Sequence, residues 1–337
     1  MSETFLHVAN GHSTTLTIGE AGIPGLLSIW ADPLHEGPVP GDVSDAELID
    51  VRARHLASEV PPGPSAAEVA HDLRQWRAAI DDDDAYGELV LWFEHDLFDQ
   101  LNLIQVLDWI GRRRPLAKPA SLICIHTFPG RPKFKGLGEL TVPELASLFP
   151  DRRAITDAQF DLGARAWRAF RSSDPLELDA FVRGDTSALP YLAPALKRHL
   201  EEYPWTRDGL SRTERRLLSL LQHGAVDIWK AFVSLHDDET AFYIADGSFW
   251  TIAEALAAAQ PPLASIEIAS QEFDRLPSGT IALTDIGRAI LGGHVDRVAE
   301  CGFDRWFGGV HLTTAGGIAR WDHTRGRIVG AEEIGRH

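Results

Sequence analysis

Three ionisable side chains, Glu94, His95 and Asp96, stand side by side in LVLWFEHDLFDQLNL (89–103), where one apolar run ends and another begins. A buried carboxylate without a partner costs several kcal/mol or gives up its charge. Such a triplet is therefore at a surface, paired, or part of a site. Comparable groups recur at three other places. Asn10, Gly11, His12 and Ser13 follow the apolar run at 4–10. Asp32, His35 and Glu36 follow the run at 25–32, and His126 and Thr127 close the run at 120–128.

Two chemistries suit these residues. The first is a divalent metal that activates water or polarises a phosphoryl or carbonyl oxygen. Its expected ligands are His35, Asp32, His95 and Glu94, from a wider set that adds His12, Glu36, Asp96 and His126. No HExxH or other regular ligand spacing accompanies them. The second is metal-free acid–base catalysis, with a histidine titrating near neutrality and oriented by a carboxylate. His95 or His35 would serve, with a partner from another strand, because strand neighbours point to opposite faces. Asp32, His35, Glu36, Glu94, His95 and Asp96 are the catalytic candidates in either case. A serine nucleophile at Ser13 lacks the GxSxG elbow.

An anion is the expected substrate. NGHSTT lies between a strand and a helix start, where backbone N–H groups and the helix dipole favour negative charge, and it supplies Gly11 and Ser13. It is neither GxGxxG nor a Walker loop, so a dinucleotide or triphosphate is not indicated. FPGRPKFKGLG (128–138) brings Arg131, Lys133 and Lys135 to the same end of the fourth strand as a phosphate or carboxylate clamp, beside His126. Arg112 to Arg114 end a helix and are expected at the opposite edge.

Structural roles compete with each of these. Asp96 followed by Asp99 has the look of an N-cap with an acidic first turn. Ser13 or Thr14 equally suits an N-cap, His126 a satisfied strand-end histidine, and DPLHEGPVPG a stiffened turn.

The elements that must position these groups alternate strand and helix: strands at 4–10, 25–32, 88–94 and 120–128, and helices at 12–22, from Ser44 to about 60, at 65–80 and after 96. Ser44 and Glu47 have capping-box spacing. Near-continuous apolar strands between helices predict an α/β fold with a parallel, Rossmann-like sheet covered on both faces. In such a sheet all strands end at one edge, outside which ligands bind. That places all four polar clusters at one edge.

LHVANGHS, IWADPLHEGPVPG, LWFEHDLFDQLNL and GLGELTVPELASLF resemble the signature blocks of a bacterial domain-of-unknown-function family, DUF 1835, over about residues 5–150. GLSRTERRLL and RWFGGVHL are similar to its usual C-terminal part. The resemblance implies weight on Gly11, Ser13, Asp32, Gly37, Pro38 and Gln100, which adds Gln100 to the expected substrate-binding set. His12 stands where the family pattern implies an acidic residue, which counts against His12 as a ligand. No reaction follows from the resemblance.

Residues 1–140 are thus expected to form the sheet domain, 141–208 a helical region packed on it or bridging from it, and 209–337 a winged-helix-like part with a closing hairpin. The helix expected to read DNA, around 248–260, has Glu254 and no Lys or Arg, whereas base readout needs Arg, Lys, Asn or Gln beside basic backbone contacts. A net charge of −17 over 337 residues also disfavours nucleic acid and anionic membrane as partners. Packing or homodimerisation is the expected role of that part. Absence of a signal peptide, a long apolar run or a cysteine framework points to a cytoplasmic protein, with two cysteines only. The function expected is an enzyme, a hydrolase or group transferase, on a small anionic molecule, with phosphorylated compounds among the candidates. The alternative is a ligand-binding sensor or transcription regulator.

Overall fold

A computed structural model describes residues 4–59, 63–271 and 275–334. The chain divides into two compact units, Met1–Leu196 with Trp306–Val310, and Lys197–Arg305 with His311–His337.

The first unit is built on a five-stranded sheet in the order β2-β1-β3-β4-β5. Its elements run β1 (Phe5–Ala9), α1 (His12–Glu20), β2 (Leu26–Ile29), α2 (Asp45–Glu59), α3 (Ala66–Asp81), β3 (Glu88–Glu94), α4 (Leu97–Gly111) and β4 (Ala120–Ile125). Then follow α5 (Val142–Leu148), β5 (Arg153–Ala154), α6 (Asp157–Arg171) and α7 (Pro175–Val182), and the division falls within α8 (Leu192–Leu200). Strands β1 to β4 are parallel, with Leu6 beside Leu26, Val8 beside Leu91 and Trp92 beside Ile123. Every residue of β1 is buried, and six of the seven in β3, as a sheet covered on both faces requires.

Two strands depart from expectation. β2 ends at Ile29 rather than Asp32, because the Asn102 side chain of α4 binds both the N–H (3.0 Å) and the carbonyl (2.9 Å) of Asp32. β5 is antiparallel to β4, with Ala154 beside Ser121. Two residues carry too little alternation to announce a strand.

Helix starts follow the capping chemistry. Ser65 and Glu68 form a reciprocal capping box at α3, and Ser44 and Glu47 exchange the same bonds before α2. One face of the sheet carries a core of Phe5, Trp92, Ile123, Phe134, Leu137 and Leu145. On α4, eleven of fifteen residues are buried, since α6 covers it from outside. A Cβ at Gly163 of α6 would lie 2.7 Å from Leu107 Cβ, so only glycine lets the two helices approach this closely. The helices just after residue 140 therefore group with the sheet.

The second unit begins with the end of α8 and continues through α9 (Arg212–Leu220), β6 (Val226–Asp227), α10 (Ile228–Leu235), α11 (Asp246–Ala258), β7 (Ala264–Ser270), β8 (Ser278–Leu283), α12 (Asp285–Leu291) and α13 (Arg297–Cys301). β6, β8 and β7 form an antiparallel sheet in that order. Two hairpins follow, β9 (Asp304–Phe307) with β10 (Val310–Thr313), of which Trp306–Val310 groups with the first unit, and β11 (Arg320–Asp322) with β12 (Arg327–Val329), then α14 (Ala331–Ile334). Where a single closing hairpin was expected, there are two. Glu214, fully buried in α9, is bound by Arg305 (2.9 Å) and faces Arg297 (3.4 Å). No helix among the described residues is long and apolar enough to cross a membrane.

Candidate functional site

The sheet order reverses direction between β1 and β3: the chain moves from β1 out to β2, then back past β1 to β3. Crevices at such switch points, beyond the carboxyl ends of the strands, are where open α/β sheets hold ligands. Asn10 leaves β1 there and Glu94 ends β3 there.

Glu94 is buried, at 6% exposure, and Asp99 of α4 at 1%. The Asn10 side-chain amide donates one hydrogen to Glu94 Oε1 (2.9 Å) and the other to Asp99 Oδ2 (3.0 Å), while Thr14 Oγ1 donates to Asn10 Oδ1 (2.8 Å) and orients the amide. Asp99 Oδ1 accepts from the Glu94 N–H (3.1 Å), and Glu94 Oε1 also accepts from the Leu137 N–H. Burial first, then the charge of Asp96, pushes the Glu94 carboxyl up to about 8. Burial, then Glu94 and Asp96, raises Asp99 well above the ordinary carboxylate range. Two acids this close and this dry do not both ionise at neutral pH; the pair retains a proton.

The turn holding Leu137 also bears on α1. A Cβ at Gly136 would overlap the Glu94 carboxyl, and one at Gly138 would come within 3.3 Å of Ser13 Oγ. The N-cap of α1 is Gly11, with no side-chain hydrogen bond to the first turn. Neither Ser13 nor Thr14 is the cap. By contrast, Asp96 is the N-cap of α4 and accepts from the Asp99 N–H (2.9 Å).

His95 goes the other way. Its ring lies 6.4 Å from both the His126 ring and the Tyr191 ring, and His126 Nδ1 bonds the Tyr191 hydroxyl at 2.7 Å. Gln100 Nε2 donates to the Glu94 carbonyl (2.6 Å) and approaches Cys124 Sγ at 3.5 Å. Burial pushes the Cys124 thiol well up, so it is a thiol and not a thiolate nucleophile. Gln100, Cys124 and Tyr191 line a cavity of about 170 Å³ between β4, α4 and α6.

The loop after β2 has a structural job. Arg52, 1% exposed, binds both oxygens of Asp32 through Nε (3.1 Å each), and its Nη2 lies 2.7 Å from Oδ1. The same guanidinium donates to the carbonyls of Pro33 (3.1 Å) and Glu36 (2.6 Å). Asp32 is thus the anchor of the loop. His35 sits 3.3 Å from Glu36 and edge-on to Phe98, and the ring of His55 fills the space a side chain at Gly37 (φ +67°) would need. His7, inside β1, is a satisfied core histidine: Trp92 Nε1 donates to its Nδ1 (3.1 Å), its Nε2 faces the Pro24 carbonyl (3.3 Å), and burial lowers its pKa.

The expected metal quartet is not assembled. Among the described residues no group of three or more His, Cys, Asp or Glu side chains is placed to hold a metal ion. Asp32 is engaged by Arg52, Glu94 by Asn10 and Leu137, and His95 is turned toward His126. Of the basic loop, Arg131 is paired with Glu144 (2.6 Å) and Lys133 is exposed. Arg112 to Arg114 end α4 and bind Asp45, Asp108, Asp81, Asp157 and Asp161.

Asn10 stood in the expected edge cluster without a role of its own, and neither Asp99, which bonds it, nor Tyr191, which bonds His126, was among the expected site residues. Asp99 was legible only as first-turn acid; Tyr191 comes from a distant helical stretch with no local signal. No protein-family model matches the chain. No curated protein matches its sequence.

Proposed function

We propose that the chain is an enzyme, a hydrolase or group transferase, acting on a small anionic molecule at the carboxyl edge of the parallel sheet. The observation that carries the reading is the pair of buried carboxyls, Glu94 and Asp99, bridged by the Asn10 amide at the β1/β3 switch point, where burial raises both pKa values. A carboxyl poised near 8 can give a proton to a leaving group at neutral pH and take one back, the behaviour a general acid needs. Burial and the charge of Asp96 favour the protonated Glu94, and Asn10 holds Glu94 and Asp99 in place. The first turn of α1, uncapped by any side chain, offers N–H groups to a phosphate or carboxylate, with Ser13 beside it. The reading calls on no metal. Membership of the DUF 1835 family, on the blocks within residues 5–150, is proposed on those blocks alone.

Turnover of a panel of phosphomonoesters and sugar phosphates by wild type and Glu94→Gln tests this. The expected result is at least one substrate turned over by wild type and slowed roughly 10²-fold or more in the variant, the usual worth of a positioned proton donor. Full activity in Glu94→Gln, or no turnover of any member, sinks the reading.

One observation favours the second reading, a ligand-binding regulator. The order α9, β6, α10, α11, β7, β8 with the sheet β6-β8-β7 suits a winged helix. The helix that would enter a groove, α11, has the sequence DGSFWTIAEALAA, without a cation for the backbone or a base. Protein packing is therefore the better role for this unit, and gel-shift titration that finds tight, salt-sensitive duplex binding would reverse that preference.

A further inference from the structure

The cavity beside His126 lies on the α4/α6 side of the sheet and takes no part in the acid–base reading above. At about 170 Å³ it is smaller than the roughly 300–1,000 Å³ of a drug-sized site, so its occupant is small. Its walls are apolar: Leu122 from β4, Leu103 from α4, and Leu189 and Pro190 from the segment before α8.

Polar side chains break that surface at Arg153, Gln100, Gln159 and Tyr191, and the first two carry the argument. Arg153, from β5, lines the cavity and makes no ion pair or side-chain hydrogen bond among the described residues. In a chain with 49 acidic residues against 32 Lys and Arg, most of the structure's arginines have found a carboxylate; this one faces a cavity instead. Gln100 is 1% exposed, and its Nε2 is fixed by the Glu94 carbonyl. The amide's other end, Oε1, accepts from no described group.

We propose that this cavity binds a small monocarboxylate with an apolar body, its carboxylate on Arg153 and its hydrocarbon against Leu103, Leu122 and Leu189. Arginine is suited to that headgroup because its planar fork meets both oxygens at once. Gln100 Oε1 adds a place for one O–H or N–H on the ligand, or for a water that bridges to it. Cys124, held as a thiol, contributes surface and not chemistry.

Isovalerate and isovaleramide share a hydrocarbon and differ at the carboxylate, so they are the probes. Titrated into the full chain at pH 7 and followed by calorimetry, isovalerate is expected to bind at least tenfold more tightly than the amide. Arg153→Met removes that preference, because Arg153 is exposed at the rim and its loss leaves the fold intact. Leu103→Trp fills the cavity and abolishes both; if that variant fails to fold, Arg153→Met decides alone. Equal affinity for acid and amide, an unchanged preference in Arg153→Met, or no binding of isovalerate at tens of millimolar each overturns the proposal. Glu94→Gln leaves this binding unchanged at neutral pH, so its failure and that of the proposed enzymatic activity are separately visible.

Discussion

Glu94 and His95 are neighbours in the chain and serve opposite sides of the sheet. The Glu94 carboxyl meets Asn10, Asp99 and the Leu137 N–H; the His95 ring lies 6.4 Å from the rings of His126 and Tyr191. The period of two along a strand makes this separation unavoidable. The triplet at 94–96 is therefore three roles in three consecutive residues: a proton-holding acid, an aromatic contact at a cavity, and a helix cap.

The Glu94 carboxyl, held in the folded chain near 8, ionises at about 4.5 once unfolded. The folded state thus binds the extra proton, and stability attributable to Glu94 is full below the unfolded value and lost as pH rises toward 8. Each pH unit in which only the unfolded carboxyl has ionised is worth about 1.4 kcal/mol. Denaturant unfolding at pH 5 and pH 8 is expected to show a larger fall for wild type than for Glu94→Gln, which cannot ionise. Equal slopes for the two proteins would mean that the carboxyl is not protonated in the fold.

Glu214 should behave in the reverse sense. Arg297 and Arg305 outweigh its burial and hold its carboxyl at about 2, so its contribution is present above the unfolded value of 4.5 and lost as pH falls toward 2. Glu214→Gln is expected to unfold more easily at pH 7 by about 3–5 kcal/mol, the cost of stranding buried charge, and to lose less on acidification. Acid titration of both proteins by far-ultraviolet circular dichroism reads the difference.

Gly136 is extended (φ 177°), so alanine meets no backbone penalty there. The added methyl overlaps the Glu94 carboxyl instead. Gly136→Ala is expected to cost about 1–3 kcal/mol, as overpacking does, and much of that should return in the Gly136→Ala, Glu94→Ala double variant. Additive losses in the double-mutant cycle would separate the two residues.

Arg52→Leu leaves the Asp32 carboxylate buried without its partner, and the carbonyls of Pro33 and Glu36 without their donor. A loss of about 3–5 kcal/mol in chemical unfolding is expected, with the Asp32→Asn, Arg52→Met pair closer to wild type than Arg52→Leu. A loss below about 1 kcal/mol would show that the loop holds without its arginine.

The parallel strands β1 to β4 and the helices between them were legible because their signals are local: apolar runs, the capping-box spacing at Ser44, and breakers at the loops. The antiparallel β5 was not, since Arg153 and Ala154 have no pattern to read. Clustering of ionisable residues at one edge was legible too, but their partition was not. Asp32 looked like a ligand because its partner Arg52 lies twenty residues away on the buried face of α2, where nothing local ties the two together. Tyr191 escaped for the same reason at greater distance, 65 residues from His126. Which polar group pairs with which is a tertiary property, and single-sequence periodicity is blind to it.

The Gln100 amide donates to the Glu94 carbonyl and also lines the cavity, so one side chain is shared by the titrating residue and the proposed anion site. Any negative charge held in that cavity makes ionisation of Glu94 harder, and by thermodynamic reciprocity the neutral Glu94 makes the cavity more welcoming to negative charge. Alkalinity would loosen such a ligand even though its own charge and its arginine are unchanged. The sheet is then a membrane between two chemistries that exchange no atoms, only electrostatic work.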